Sequence, residues 1–337
     1  LWYGTLNHYP YKRHDGIFQA WVPLRDAQYD FYEKWQGLTG LDLDLLFEND
    51  WLTMNALQTY LGKGKGKVKV QKLTAKIDHL NRNGMITVNA DINEDARKIS
   101  HYLKNSPLKE SVGKALTFID VQKTLSGQLQ LNIPFNRKKQ QTETLGEITL
   151  SDNDINIEIS DKITLPLKNA QGKFSFINGN LTAKKIAVQL FEQDLKISFD
   201  TAQEKDSYQV NVDIDSVWDL LKLSNTLPQI APLQLSGRLD WTGNIKFEND
   251  FSGGYKNTTV LSSATQGIKS NLPFPFNKNA LQSWPTTVSI SGDHQSSIFT
   301  FNIKDKLDLI GQLDYQDKEQ SIPYFTLNIG TDKLSDV

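Results

Sequence analysis

Residue types that perform acid–base, nucleophilic or metal chemistry are present, but their spacing does not assemble them. The five histidines, His8, His14, His79, His101 and His294, are scattered. None falls in an HExxH pattern, so a metal ion has no pair of ligands on one helix face. No GxSxG elbow occurs to present a serine nucleophile. The chain has no cysteine, which excludes disulfides, thiolate metal sites and thiol nucleophiles together. Asp152-Asn153-Asp154-Ile155-Asn156 resembles the opening of a calcium loop. The glycine needed at the sixth position is missing and Ile163 stands where the bidentate glutamate belongs, so the segment reads as a polar turn. Asp42 with Asp44, and Asp213 with Asp215, form carboxylate pairs on the polar side of strands. General acid–base work is open to them, and a solvated sheet face accounts for them more simply. No catalytic residue, metal ligand or cofactor is assigned, and an enzyme is not expected.

Gly62-Lys63-Gly64-Lys65-Gly66-Lys67 is not a phosphate-binding Walker loop, because the GxxxxGK[ST] spacing is absent and Val68 follows. Its lysines suit lipid phosphates or an anionic membrane surface, or simply a solvated, mobile hairpin tip. Arg137-Lys138-Lys139 forms a second basic tip with the same two readings.

The elements that must position these residues are strands. Leu41, Leu43, Leu45 and Phe47 alternate with Asp42, Asp44, Leu46 and Glu48; Leu125, Leu129, Leu131, Ile133 and Phe135 alternate with Ser126, Gln128, Gln130 and Asn132. Tyr208 to Ile214, Leu233 to Trp241 and Leu307 to Leu313 repeat the pattern. Successive strand side chains point to opposite faces, so each segment has one apolar and one wet side, as in antiparallel sheets covered on one face. Asn178-Gly179, Asn249-Asp250, Gly253-Gly254 and Asp317-Lys318 supply hairpin turns. Helices are expected at Glu94–Lys104 capped by Asn93, at Pro107–Leu116 capped by Ser106, and at Ser216–Ser224 with Ser216 and Asp219 in capping-box spacing.

The 337 residues carry 37 basic and 39 acidic side chains, a near balance that argues against nucleic acid as the main partner. No apolar run approaches the roughly 18 residues of a membrane helix. The chain opens Leu1-Trp2-Tyr3 without an initiator methionine, and reads as a piece of something longer with any targeting signal outside it. An internal echo links Leu45-x-Phe47-x-Asn49-x-x-Leu52 to Phe174-x-Phe176-x-Asn178-x-x-Leu181. Added like units favour an elongated sheet over a compact sandwich. The expected organisation is a β segment over residues 1–92, a short helical insertion over 93–124 and a second β segment over 125–337. The apolar face must then be covered, either as a filled sandwich or barrel core, or left as a trough into which acyl chains fit.

Several stretches bear on that choice. They are Gly16-Ile-Phe-Gln-Ala-Trp-Val-Pro-Leu-Arg-Asp-Ala-Gln-Tyr-Asp-Phe31, Leu38-Thr-Gly-Leu41, Leu45-Leu-Phe-Glu-Asn-Asp50 and Ser106-Pro-Leu-Lys-Glu-Ser-Val-Gly-Lys-Ala-Leu116. Next come Leu125-Ser-Gly-Gln-Leu-Gln-Leu-Asn-Ile-Pro134, Leu167-Lys-Asn-Ala-Gln-Gly-Lys-Phe174 and Leu235-Ser-Gly-Arg-Leu-Asp-Trp-Thr-Gly243. Gly267-Ile-Lys-Ser-Asn-Leu-Pro-Phe-Pro-Phe276 stands before Pro285. In this order they resemble the central portion of the YhdP family, within the AsmA-like group that also includes TamB.

The resemblance implies a mainly β protein: an elongated, curled antiparallel sheet forming a U-shaped groove, with a few short helices, similar to eukaryotic bridge-like lipid transfer proteins. It implies a periplasmic segment of a protein anchored in the inner membrane of Gram-negative bacteria by a helix outside this chain, carrying phospholipids toward the outer membrane. It supplies no catalytic residues. Combined with the alternation, it nominates Leu43, Leu45, Phe47, Leu129, Leu131, Ile133, Phe174, Phe176, Ile197, Phe199, Leu239 and Trp241 as lipid-binding. Phospholipids, the remainder of the longer chain and the two membrane surfaces are the expected partners. An envelope interaction module with a filled core is the alternative.

Overall fold

The alternating segments form strands, and every strand pair with an assigned register is antiparallel. A computed structural model describes residues 1–30, 35–81, 83–106, 119–136, 141–160, 163–314 and 324–330, together with Lys109, Gly113, Leu116 and Thr117. The expected helix at Pro107–Leu116, the basic tip Arg137-Lys138-Lys139 and the turn Asp317-Lys318 lie largely or wholly outside the described residues. Two compact units are present: residues 1–164 with 171–180, and residues 165–170 with 181–337. The fold is mainly β with a few short helices.

The first unit contains β1 (Trp2–Tyr3), β2 (Ile17–Tyr29), β3 (Leu38–Glu48), β4 (Trp51–Leu61), β5 (Val68–Ile77) and β6 (Met85–Asp95). It continues with helix α1 (Ala96–Lys104), β7 (Ile119–Val121), β8 (Thr124–Pro134), β9 (Glu143–Ser160) and the latter half of β10 (Ile163–Ile177). From β2 to β6 each strand pairs with the next; β8 then pairs with β6 and β9 with β8. Residues directly opposite in an antiparallel ladder share a face, so the register spells out both faces. One row runs Val22, Leu45, Met54, Ala75, Val88, Leu131, and the next runs Ala20, Phe47, Leu52, Ile77, Ile86, Ile133. On the opposite face Leu46, Thr53, Lys76, Thr87, Asn132 and Glu143 form a mostly polar row.

The second unit contains β11 (Asn180–Leu190), β12 (Gln193–Gln203), β13 (Ser207–Asp219), helix α2 (Leu220–Thr226) and β14 (Leu235–Asp250). It continues with β15 (Tyr255–Ser263), β16 (Ile268–Ser270), β17 (Thr286–Asp293), β18 (Ser296–Ile303), β19 (Leu307–Asp314) and β20 (Tyr324–Ile329). β16 adds to the start of β14, while β17 pairs with β15. Its apolar row is Ala183, Phe199, Val212, Ile245, Thr259, Ile290, Phe299, Gly311, Phe325. The partner row Asp200, Asn211, Lys246, Thr258, Ser291 faces the other way.

Both helices begin later than the sequence suggests. Asn93 and Glu94 remain in β6, whose ladder runs through Asp95 opposite Thr124. Asp95 is the cap, accepting from the Arg97 amide at 2.8 Å. Likewise β13 continues through Ser216 to Asp219, opposite Arg238, and Asp219 caps α2 by accepting from the Leu221 and Lys222 amides. Ladder pairing to a distant strand outcompetes a local capping box. The helices then fold back over the apolar side. Tyr102 joins Leu41, Leu43, Ala56, Val68, Val70, Leu73 and Ala90 in one buried cluster, with Ile99 and Leu103 packed against it. Leu220 and Leu223 join Ile268 in a smaller one.

Candidate functional site

The polar candidates are consumed in holding strands. Asp42 accepts from the backbone N–H of Asp26 at 2.8 Å, where Asp26 has φ +48° and the β2–β3 register shifts. It therefore pins a β-bulge. Asp44 pairs with the Arg25 guanidinium at 3.1 Å, and Asp213 accepts from the Asn244 amide at 2.7 Å. His8 meets Asp15 and His79 meets Asp50 as separate surface pairs. Among the described residues no group of three acidic, histidine or cysteine side chains is arranged to hold a metal ion.

The Asp152–Asn156 segment is not a turn. It lies inside β9: Asp152–Asp154 follow the stretch paired with β8, and Ile155 and Asn156 already pair with β7. Asp152 takes a left-handed backbone, φ +68°, and fully buried Asn153 splints the gap. Its Oδ1 accepts from the Ser151 amide, and its Nδ2 donates to the carbonyls of Gln122 and Thr124. Lys123 Nζ lies 3.3 Å from Asp152 and 3.6 Å from Asp154, placing an ammonium where a calcium loop would place its ion.

The lysine ribbon is docked. Gly62 donates its N–H to the Gly37 carbonyl at 2.9 Å and accepts from the Thr39 hydroxyl at 3.0 Å. Gly64–Gly66 forms a short 3-10 turn, and a Cβ at Gly66 would collide with the His101 ring of α1. Lys67 stacks its ammonium 3.7 Å from the Tyr60 ring centroid. Arg97, His101 and Lys104, at helical spacing i, i+4, i+7, give α1 an exposed basic side next to that ribbon.

The nominated apolar residues share one face within each unit. In the first, Leu45, Phe47, Leu131 and Ile133 fall in the two apolar rows described above. Leu129 continues that face opposite Ala90 and Gly146. The Phe176 ring occupies the space a side chain at Gly146 would fill, and Phe174, two residues earlier in β10, is half-buried as Phe176 is. A hollow of about 450 Å³ beside Leu129 is lined largely from the opposite, polar face, by Asn89, Asp91, Gln128, Gln130 and Glu147 among others. Leu43 differs, because it is roofed by α1. In the second unit Ile197 and Phe199 alternate along β12 on the apolar side, with Trp241 opposite Ser216 on β14. Leu239 packs beneath α2 with Leu220, Leu223 and Ile268.

Most of these residues are half-buried rather than sealed, and the exposure rises toward β20, where Phe325 is 61% and Ile329 52% exposed. Two participants are absent from the sequence reading. Trp218 packs edge to face on Trp241 with ring centroids 5.0 Å apart, and Gln193 is buried beside it. Strand alternation at Trp218 was available as a signal. Gln193 gave none.

A face of aliphatic and aromatic side chains, with polar groups spent on bulges and turns, can bind apolar chains without performing a reaction. No described helix is long and apolar enough to cross a membrane. No solved structure matches this chain significantly. The "Intermembrane phospholipid transporter YhdP" of Escherichia coli (strain K12) is 32% identical over 293 residues, covering 87% of this chain and 22% of that relative. The chain thus spans about a fifth of the relative's length. The family model described as "YhdP protein" matches residues 1–335, and the chain accordingly belongs to the YhdP family.

Proposed function

We propose that this chain is a lipid-binding segment of a phospholipid transporter, working in the periplasm as part of a longer protein anchored in the inner membrane. Acyl chains lie against Leu45, Phe47, Leu129, Leu131, Ile133, Phe174 and Phe176 in the first unit, and against Ile197, Phe199 and Trp241 in the second. Leu43 and Leu239 close the face beneath α1 and α2. The observation that carries the reading is a row of apolar residues, continuous from strand to strand, in which Leu45, Phe47 and Leu131 are half-exposed while Leu52, Ile77 and Ile133 are buried. Burial is worth roughly 0.8 kcal/mol per methylene, enough to capture an acyl chain. A lining of only aliphatic and aromatic side chains offers similar affinity at each step, as movement requires. The relative's transport of phospholipid supports the same cargo here.

Photo-crosslinking residues at Phe47 and Glu48, neighbours on opposite faces of β3, test the assignment in cells. Phospholipid adducts are expected at Phe47 and not at Glu48. Equal labelling, or none at Phe47, refutes it. Native mass spectrometry of the purified chain complements this: copurifying phospholipid is expected, while a clean apo mass favours an envelope module with no cargo.

A further inference from the structure

The apolar side of the second unit contains four buried N–H donors with no acceptor among the described residues: Asn249 Nδ2 at the far end of β14, and a group of three, Gln193 Nε2, Trp218 Nε1 and Trp241 Nε1. Register brings these three together. Leu195 lies opposite Ser216, so Gln193 falls beside Trp218; Ser216 in turn lies opposite Trp241, and Trp218 opposite Leu239. Gln193 is 5% and Trp241 9% exposed. The Gln193 amide is oriented, since its Oε1 accepts from the Asp219 backbone N–H at 3.0 Å, which leaves Nε2 as the free end. The two indoles meet at 79°, a geometry in which at most one N–H can rest on the other ring. An unpaired donor in such surroundings is costly, and native proteins seldom leave three together.

The surroundings define what the donors suit. Leu195, Leu239 and the cluster of Leu220, Leu223 and Ile268 make the site apolar. The nearby charges are otherwise engaged: Asp219 caps α2, and Lys222 Nζ bonds the Glu192 carbonyl at 2.9 Å. Neutral donors in an apolar setting favour an uncharged acceptor, because a buried phosphate would demand a cation. We infer that Gln193, Trp218 and Trp241 form a recognition site for the ester carbonyls of an acyl-glycerol lipid, whose chain then runs along Ile197 and Phe199. This rests on the lipid-binding reading above and adds a polar anchor to it.

The experiment compares an ester-linked phosphatidylglycerol with its ether-linked analogue, which lacks only the carbonyls. Both are short-chain, kept below their micelle thresholds, and titrated into the full 337-residue chain by calorimetry. The ester lipid is expected to bind roughly three- to tenfold more tightly, the worth of about one neutral hydrogen bond. In the double variant Trp218→Phe/Trp241→Phe the ester lipid is expected to lose more affinity than the ether lipid, which brings the ratio toward one. Equal binding of the two lipids by the parent chain overturns the inference while leaving lipid binding intact. So does a preference that survives in the triple variant with Gln193→Leu. Failure of both lipids to bind overturns the lipid-binding reading and this inference together. Should a variant unfold, the parent's ester-to-ether ratio decides alone.

Discussion

Beneath α1 the apolar side of the first unit is a core, whereas a few residues further along the same strands it is half-exposed surface. Leu41, Leu43, Val68, Val70 and Ala90 are buried against Tyr102, while Leu45, Met54, Val88 and Leu131 are only partly covered and Val22 is exposed. Residue type and strand parity are the same in both regions. A nine-residue helix packs on one of them, while in the other burial is uneven, with Leu52, Ala75, Ile77 and Ile133 buried between partly covered neighbours. An amphipathic strand therefore specifies which side avoids water, and a separate element decides whether that side is roofed.

The sharpest way to break this comparison is to place the same charge in both regions. Val70, 1% exposed, is expected to lose roughly 4 kcal/mol or more as Val70→Asp, because the carboxylate is buried without a partner. In urea titrations followed by circular dichroism, the first unit's cooperative transition should vanish. Leu131→Asp should cost only about 1–2 kcal/mol, since the half-buried site lets the carboxylate reach water. Equal losses at the two positions would mean that the Leu131 region is a filled core as well, and the distinction would collapse.

The sequence made the faces legible because period-two alternation is a direct record of strand geometry. Leu43, Leu45 and Phe47 fall where alternation puts them. It was silent wherever a distant partner decided the outcome. Glu94 and Ser216 carry respectable helix-start signals, yet the ladders to β8 and β14 keep both extended. Asp152 to Asn156 reads as a turn until β7 and β8 are seen to need Asn153 between them. Gln193 and Trp241 are 48 positions apart, and only the register through Ser216 makes them neighbours. The echo between Asn49 and Asn178 was visible as residue identity but not as geometry. Both adopt left-handed backbones, φ +52° and +51°. Each exchanges two hydrogen bonds with the preceding strand. Asn49 Oδ1 accepts from the Phe18 amide and its N–H donates to the Phe18 carbonyl; Asn178 does the same with Thr144.

Those clasps matter most where packing contributes least. Asn49 holds the turn between β3 and β4 at the end of the uncovered rows, so the ladder there depends on the turn more than on a roof. Asn49→Ala should cost roughly 2 kcal/mol, combining the steric penalty of a left-handed alanine with the orphaned Phe18 N–H. Asn49→Gly removes only the second part and should cost about half as much. Asn178→Ala and Asn178→Gly should repeat the pattern. Thermal melts of the four variants measure it. If glycine and alanine behave alike at both positions, the side-chain clasp rather than the backbone conformation accounts for the whole effect.

The smallest expected effect belongs to the roof itself. Tyr102 projects from α1 into the cluster beneath it, with its hydroxyl donating to the Gln36 carbonyl at 2.9 Å. Burial pushes that hydroxyl well above the usual phenol range. Tyr102→Phe keeps the ring and should lose about 1 kcal/mol at neutral pH. The pH dependence separates it from an ordinary packing change. In the unfolded chain a tyrosine ionises near pH ~10, while the folded corner holds the neutral form. The folded state thus binds more protons above that pH, and its stability is full below about pH 10 and declines as the pH climbs further. Replacing Tyr102 by Phe should remove part of that alkaline decline. Tyr208 in the second unit, also raised, first by burial and against its bond to Thr201, keeps its own share. Melting temperatures of the parent and Tyr102→Phe between pH 8 and about 11.5 decide the matter. Parallel curves would show that Tyr102 is solvated when folded, and that the roof over the covered region is looser than the packing beneath α1 requires.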